Sequence, residues 1–529
     1  MTPNYQLLIK NILQAPVVYN PDQEIVYKGE KRFTYAQFHA RIKKLANALT
    51  AMGVKKGDTV AVMDYDSNRY LECYFAVPMI GAILHTINIR LSPEQMLYTI
   101  EHAEDDVILV HHDFLPLFNQ IKGRISGVRD YIILHEDENC EYEKLLDAQN
   151  DTFEFEDFDE NTIATTFYTT GTTGMPKGVY FSHRQLVLHT LGEIAALSTP
   201  NVQGRVHRDD VYMPITPMFH VHAWGIPYMA TMLGLKQVYP GRYIPDALID
   251  LLDKEQVTFS HCVPTILHML LSSPKINDVD LSKWKVIIGG SALPKAMCIN
   301  ALERGIDVYA AYGMSETCPL LSVTQLDTLQ LTLSIEEQAD IRIKTGRSVG
   351  LVEMKLVDES MQAVPSDGES VGEIVVRSPW LTAGYLKDKK NSEQLWTGGY
   401  LHTGDIATRE KNGYFRITDR AKDIIKVSGE WVSSLELEDI IGQQSDVSEV
   451  AVIGIAHEKW GEVPLGLVVL KEGVTTTPRD IEIFAKDYIK KGIMARESML
   501  LKIQIVESID KTSVGKVDKK TLREKYTTA

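Results

Sequence analysis

Apolar positions recur along the chain in two alternating rhythms. Ala36, Phe38, Ile42, Leu45, Ala46 and Leu49 return at helical spacing, with Arg41, Lys43 and Lys44 between them, which predicts an amphipathic helix. After Gly53 and the Gly57-Asp58 turn, Thr59 to Met63 form a short continuous apolar run of the kind expected of a buried strand. The alternation continues with a helix over about 69–80, a strand over 82–87, a helix opened by Ser92-Pro93-Glu94 and a strand over 107–110. Ser92 suits the N-cap and Pro93 the first helical position, with Gln95 following. Strands alternating with helices predict crossover units, a mainly parallel sheet and an α/β fold.

Residues 137–162 are acidic and aperiodic and are expected to be a surface connection. Residues 165–182 follow, a Gly/Thr-rich loop between apolar, β-branched flanks. Ser182-His183 then opens a helix predicted to run to about 197. Residues 200–210 read as an exposed loop, and 211–224 as a strand giving way to a pocket wall. Strands are predicted over 257–260 and 284–288, with Pro264 starting a helix between them, and a further strand begins at Val308. From Gly350 the texture changes to short alternating strands (354–357, 372–377, 413–417) and frequent glycine turns, the pattern of a small β-rich subdomain. The last hundred residues return to helix and strand, with helices near 434–441 and 478–490 and a strand near 449–455. The expected organisation is a large N-terminal domain over 1–420, its β-rich part at about 350–420, and a small α+β C-terminal domain over 421–529.

A chain of 529 residues exceeds one ordinary core, in keeping with two domains. Its formal charge of −16 argues against nucleic-acid binding, which needs a basic face. An anionic ligand would then have to be held by locally placed lysines, backbone amides and a divalent cation. The five cysteines, Cys73, Cys140, Cys262, Cys298 and Cys318, are scattered without a C-x-x-C pair, which fits a reducing compartment and gives no zinc site. The first residues lack the apolar core of a signal peptide, and no transmembrane run occurs. The expected location is cytoplasmic.

The densest candidate chemistry lies at 169–178, where Thr169, Thr170, Gly171, Thr172, Thr173, Gly174, Lys177 and Gly178 form a phosphate cradle. Glycines let backbone N–H groups approach an anion, threonine hydroxyls add donors, and Lys177 adds a mobile charge. A flexible linker would not need Pro176-Lys177-Gly178 at its end, and the spacing is not that of a Walker A loop. Gly289-Gly290-Ser291-Ala292 makes a second strand-to-helix turn that lets the flat face of a ring approach the backbone. In Ala310-Ala311-Tyr312-Gly313-Met314-Ser315-Glu316, an aromatic suits a base and a carboxylate suits a cation beside it. His402-Thr403-Gly404-Asp405 reads as a turn whose carboxylate accepts from ribose hydroxyls. Residues 419–431 form a charged junction, and Lys516 stands behind Ser513-Val514-Gly515 near the C-terminus. His220 and His222 lack a third zinc ligand nearby in sequence; an apolar acyl wall suits 218–224 better.

Taken in order, these segments resemble the acyl-adenylate-forming superfamily, which includes acyl-CoA synthetases, firefly luciferases and nonribosomal peptide adenylation domains. The resemblance spans nearly the whole chain and is strongest to bacterial long-chain fatty acyl-CoA synthetases, through Met218-Phe219-His220-Val221-His222-Ala223-Trp224, Gly289 to Ala292, and Ser428-Gly429-Glu430-Trp431. It implies that the 169–178 loop holds the β- and γ-phosphates of ATP, with Thr169 and Glu316 beside Mg²⁺. It implies that Gly290, Ala311 and Tyr312, within a site that also includes Ser291, Ala310 and Gly313, frame adenine, and that Ser315 meets the phosphates. Asp405, helped by Arg420, would bind ribose. Lys422 would sit at a hinge spanning 419–426, and Lys516 would reach the carboxylate and α-phosphate. Trp224 would gate an acyl tunnel beside His220, while Lys426 and Trp431 act near the nucleotide. His222 departs from the family's pattern. A homodimer is implied by the resemblance alone.

The reaction so implied joins a carboxylic acid to ATP as an acyl adenylate, releases pyrophosphate, and passes the acyl group to coenzyme A. The absence of a G-x-S-x-G elbow agrees, since no protein nucleophile is needed. Medium- or long-chain fatty acids lead as substrates, with short thioether acids such as methylthiopropionate second. Three rival readings share the nucleotide motifs. CoA-dependent AMP release separates a luciferase-like oxidase, no carrier segment is fused here to support a carrier-loading domain, and a non-catalytic binder would not need Glu316, Asp405 and Lys516 together.

Overall fold

The computed structural model describes residues 5–169, 175–428, 430–490, 496–512 and 515–527. Helices begin where the sequence offers caps. Ser92 and Ser182 each accept from the backbone N–H of the third helical residue, Gln95 and Gln185, whose side chains return the bond. Thr34 does the same with Gln37 for the helix Tyr35–Ala51, which buries Phe38, Ile42, Leu45 and Leu49.

Among the described residues the strands form four sheets. A six-stranded sheet runs in the order Asp130–Leu134, Asp105–His111, Thr59–Met63, Ile83–Thr86, Ile163–Thr169, Lys177–Ser182. It is parallel except for its last pair, a hairpin that brackets the Gly/Thr loop. A nine-stranded sheet has a parallel centre of Asp307–Gly313, Lys285–Ile288, Phe259–Cys262, Val211–Pro214 and Lys236–Tyr239, with antiparallel pairs at its margins. The expected α/β fold with mainly parallel sheets is observed. The smaller antiparallel sheet between Glu353 and Arg420 supplies the β-rich part. The fourth sheet, from Ile425–Val427 to Lys502–Ile505, packs on its own core of Ile425, Leu437, Ile441, Val452, Ile481 and Leu501.

Three sequence expectations change. The stretch 137–162 is not all surface connection, because Glu141–Asp147 is a helix with Tyr142 and Leu146 buried. Arg41 ties that helix down by bridging Glu72 and Glu143 at 2.7–3.2 Å, and the Tyr142 hydroxyl donates to Glu72 at 2.5 Å. The 200–210 loop is partly buried. Gly204 N–H donates to Asp307 at 2.7 Å, the Tyr309 hydroxyl donates to the Gly204 carbonyl at 3.1 Å, and Gln203 and Asp210 are almost wholly covered. Residues 402–405 are not a turn. They form a bulge inside the strand Tyr400–Arg409, where the register against Gly372–Arg377 shifts and Gly404 takes φ +70°. A bulge re-aims a side chain without ending the strand.

Candidate active site

Two neighbouring parallel strands end on one cleft. Lys285–Ile288 runs out into Gly289 and Gly290, and Asp307–Gly313 delivers Ala311, Tyr312 and Gly313. Such carboxyl ends are where parallel sheets open a crevice for ligands. Close approach explains the glycines. A Cβ on Gly313 would lie 1.9 Å from the Pro319 carbonyl oxygen, and Gly290, at φ +78°, would place one 3.1 Å from Cε of Lys516.

The bulge aims Asp405 at the end of the Tyr312 strand. Its Oδ2 accepts from the Tyr312 hydroxyl at 2.6 Å, and Arg420 Nε lies 3.1 Å from Oδ1. Burial, with this carboxylate next, holds the Tyr312 hydroxyl well above its ordinary pKa. One turn on, Glu316 is buried in the short helix Ser315–Thr317 and accepts from the Tyr385 hydroxyl at 2.7 Å. The Tyr385 ring lies under Lys177, whose Nζ is 4.7 Å from its centroid. Lys177 pairs with Thr169 at the mouth of the hairpin. Tyr385 thus joins the phosphate-loop hairpin to the carboxylate, and nothing in its sequence surroundings marked it. Thr170, Gly171, Thr172, Thr173 and Gly174 lie outside the described residues.

Lys516 reaches the same cleft from the C-terminal segment. Its backbone N–H donates to the Thr512 hydroxyl at 3.2 Å, and the neighbouring Gly515 carbonyl accepts from the Thr265 hydroxyl at 3.4 Å. Burial, and then repulsion from Arg420, lower the Lys516 amine to about 8 against the pull of Asp405 and Glu316. Protonated Lys516 attracts a polyanion, and the neutral amine does not. The kcat/KM for ATP is therefore expected to fall as pH rises through about 8, since that ratio reports the free enzyme's groups. A pH–rate profile of the wild type and of Lys516→Arg checks this. Arginine stays charged and should shift the basic limb upward.

The far half of the cleft is apolar, lined by Leu197, Val221, Trp224, Ile226, Ile287 and Leu320. Trp224 lies against the backbone of Gly289, where a Cβ would come within 3.0 Å of the indole. It is carried on an unusual backbone. Val221, His222, Ala223 and Trp224 have φ of 49°, 54°, 47° and 59°, and Gly225 follows at 79°. Each non-glycine residue in this left-handed region costs roughly 1–2 kcal/mol, so the turn is strained. His220 lines the cleft too, and burial, with Lys516 and Arg90 adding to it, holds its imidazole to about 3 and so neutral. His222 points elsewhere. It is fully buried between the rings of Phe167, Tyr74, Phe181 and Tyr228, at centroid distances of 5.1–6.4 Å.

Glu193 also lines the cleft, and sequence reasoning passed over it. On the helix His183–Ser198 it occupies the buried stripe with Leu186, Thr190 and Leu197. A carboxylate at a core-facing position was the available signal. Among the described residues its Oε2 is fully buried and has no hydrogen-bond partner. Leaving such a group unpaired costs about 1–3 kcal/mol. Burial pushes its acid well above the ordinary carboxylate range.

The structure therefore gathers Thr169, Lys177, His220, Trp224, Gly290, Ala311, Tyr312, Gly313, Ser315, Glu316, Asp405, Arg420 and Lys516 around one cleft. Ser291 and Ala310 do not line it. Lys422 is at the surface, after the strand Phe415–Arg420. Lys426 and Trp431 face each other across a hairpin and are exposed outside the cleft. Strand alternation explains Lys426, since Ile425 and Val427 on either side enter the core of the fourth sheet.

The profile of the AMP-binding enzyme family matches residues 13–386, and that of the AMP-binding enzyme C-terminal domain matches 436–516. A long-chain-fatty-acid–CoA ligase of Thermus thermophilus is 38% identical, covering 95% of this chain and 92% of its own. A 3-methylmercaptopropionyl-CoA ligase of Ruegeria pomeroyi is 36% identical over 98% and 97%, and a medium-chain-fatty-acid–CoA ligase of Ectopseudomonas oleovorans 35% identical over 98% and 96%. In fold, the chain is similar to the anthranilate CoA ligase AuaEII in complex with anthranoyl-AMP, with a TM-score of 0.87 at 24% identity over 99% and 98%.

Proposed function

The chain belongs to the AMP-binding enzyme family, and we propose that it is an AMP-forming acid–thiol ligase that converts a medium- or long-chain fatty acid to its coenzyme A thioester. The observation that carries this reading is the meeting of Lys516 with Tyr312, Gly290 and an apolar half-cleft in one cavity. A fatty acyl chain would enter the apolar half, gaining about 0.8 kcal/mol per buried CH₂, with the carboxylate towards Lys516. ATP would lay adenine on the Gly290 and Tyr312 side, ribose at Asp405 and its phosphates toward the loop between Thr169 and Lys177.

The acid's oxygen then attacks the α-phosphorus of ATP and pyrophosphate leaves. Two anions are brought together, and Lys516 offsets their repulsion and the charge growing on the phosphoryl oxygens. Oxygen donors at Glu316 and Thr169 fit Mg²⁺ shared with substrate phosphates. Bound there, the ion would neutralise charge on the leaving pyrophosphate. In the second half-reaction the thiol of coenzyme A adds to the activated carbonyl and AMP departs. His220, which lines the cleft beside Lys516, would stand next to the reacting carbonyl and help to orient it. Lys426 and Trp431, outside the cleft here, would reach the nucleotide only after the C-terminal unit turns about 419–426, withdrawing Lys516. We place Lys422 at that hinge, and assign the protein to the cytoplasm, where its substrates occur.

Incubating the protein with ATP, Mg²⁺ and coenzyme A across a panel of fatty and thioether acids, and measuring AMP and thioester together, tests the reading. Stoichiometric AMP and thioester with medium- or long-chain acids is the expected result. Pyrophosphate release without thioester would overturn it, and a clear optimum at methylthiopropionate would move the substrate to the short thioether acids that the 36% identical relative's name points to.

A further inference from the structure

Resting on the ligase reading, we infer that Glu193 selects acids whose acyl chain carries a hydrogen-bond acceptor, an oxygen or sulfur atom that meets the Glu193 carboxyl beyond Trp224. The cleft puts these groups in order. Lys516 lies beside Gly290, the Trp224 indole lies on Gly289, and a Cβ at Gly225 would stand 3.3 Å from Glu193 Oε2. Lys516, Trp224 and Glu193 line one cleft, so an acyl chain that starts at Lys516 and passes the indole would reach Glu193. Among the described residues its Oε2 has no hydrogen-bond partner, and His189 Nδ1 lies 3.7 Å from it, beyond hydrogen-bond range. The other nitrogen of His189 accepts from Leu320 N–H at 3.1 Å, which fixes the proton on Nδ1.

The state of the pair follows from its burial. Burial holds His189 to about 3, with His222 adding to it, and raises Glu193 far above the carboxylate range. Burial thus favours the uncharged form of each, and an uncharged Glu193 carboxyl carries an O–H to donate. A saturated alkyl chain would seal that donor away from water without a partner. A hydroxyl, ether, keto or thioether atom at the right depth would satisfy it. Sites built to hydrogen-bond a substrate heteroatom discriminate against the analogue that lacks it.

The test compares hexanoic, octanoic and decanoic acids with analogues in which one methylene is replaced by an ether oxygen at successive positions, and by sulfur at the same positions. The readout is the ratio of kcat/KM for each analogue to that of its parent, which cancels any general loss of activity in a variant. At one position the wild type should favour the oxygen or sulfur acid by about tenfold. Glu193→Gln keeps an N–H donor and should keep the preference; Glu193→Leu should bring the ratio to one or below. The heteroatom giving the larger ratio distinguishes an oxygenated from a thioether substrate. Ratios near one throughout the wild type, or a preference that survives in Glu193→Leu, would overturn the inference. Calorimetric binding of the same acids to wild type and Glu193→Leu runs alongside. If no thioester forms at all, the ligase reading fails, while the binding preference still decides the role of Glu193.

Discussion

Lys516→Ala is expected to lower ATP–pyrophosphate exchange by about 10²–10³-fold, the usual loss when one donor to a developing oxyanion is removed. The same variant should form thioester at nearly wild-type rate from a supplied acyl adenylate and coenzyme A. The asymmetry follows from where the charge develops. In the first half-reaction negative charge accumulates at the α-phosphorus, where Lys516 sits in the cleft among Asp405, Glu316 and Arg420. In the second, the reacting carbonyl is attacked by a thiol and the phosphate only leaves. The two rates, measured separately, decide the matter. Equal losses in both would show that Lys516 holds the cleft together instead of serving one step.

Gly313→Ala should be nearly as damaging for a different reason. The added methyl would stand 1.9 Å from the Pro319 carbonyl oxygen and 2.5 Å from its carbon, and both are backbone atoms that no rotamer change can move. The strand Asp307–Gly313 must then part from Leu320–Val323 at the point where their register already shifts. Tyr312 and Glu316 lie on either side of that point and would move with it. A displacement of about 1 Å among positioning groups costs on the order of 10²-fold in rate, and overpacking adds about 1–3 kcal/mol of destabilisation. Gly350→Ala is the control, since nothing lies within 4 Å of its added methyl. Thermal unfolding and pyrophosphate exchange on both variants test this. An unchanged Gly313→Ala would mean that the Pro319 segment yields easily.

Much of this was legible in the sequence because local patterns governed it. Capping residues at Ser92 and Ser182 fixed helix starts, and apolar runs such as Thr59–Met63 marked strands buried on both faces. The site residues were legible as clustered glycines, carboxylates and lysines. What escaped depended on distant partners. Tyr385 matters because it meets Glu316 and Lys177, 69 residues before it in one case and across a ring face in the other. The helix Glu141–Asp147 lies in an acidic stretch and owes its seat to Arg41. The 402–405 bulge looked like a turn because glycine serves both. Glu193 escaped because its burial depends on what packs against the helix His183–Ser198.

The left-handed turn from Val221 to Gly225 links two properties that usually vary apart. Three of its members, Val221, Ala223 and Trp224, are buried apolar residues in a backbone that glycine would adopt more easily. Conformational ease therefore pulls toward glycine at Val221 and Trp224, which build part of the wall of the acyl cleft. Heat tolerance and substrate range both draw on Val221 and Trp224, so in this protein selection for one acts on the other.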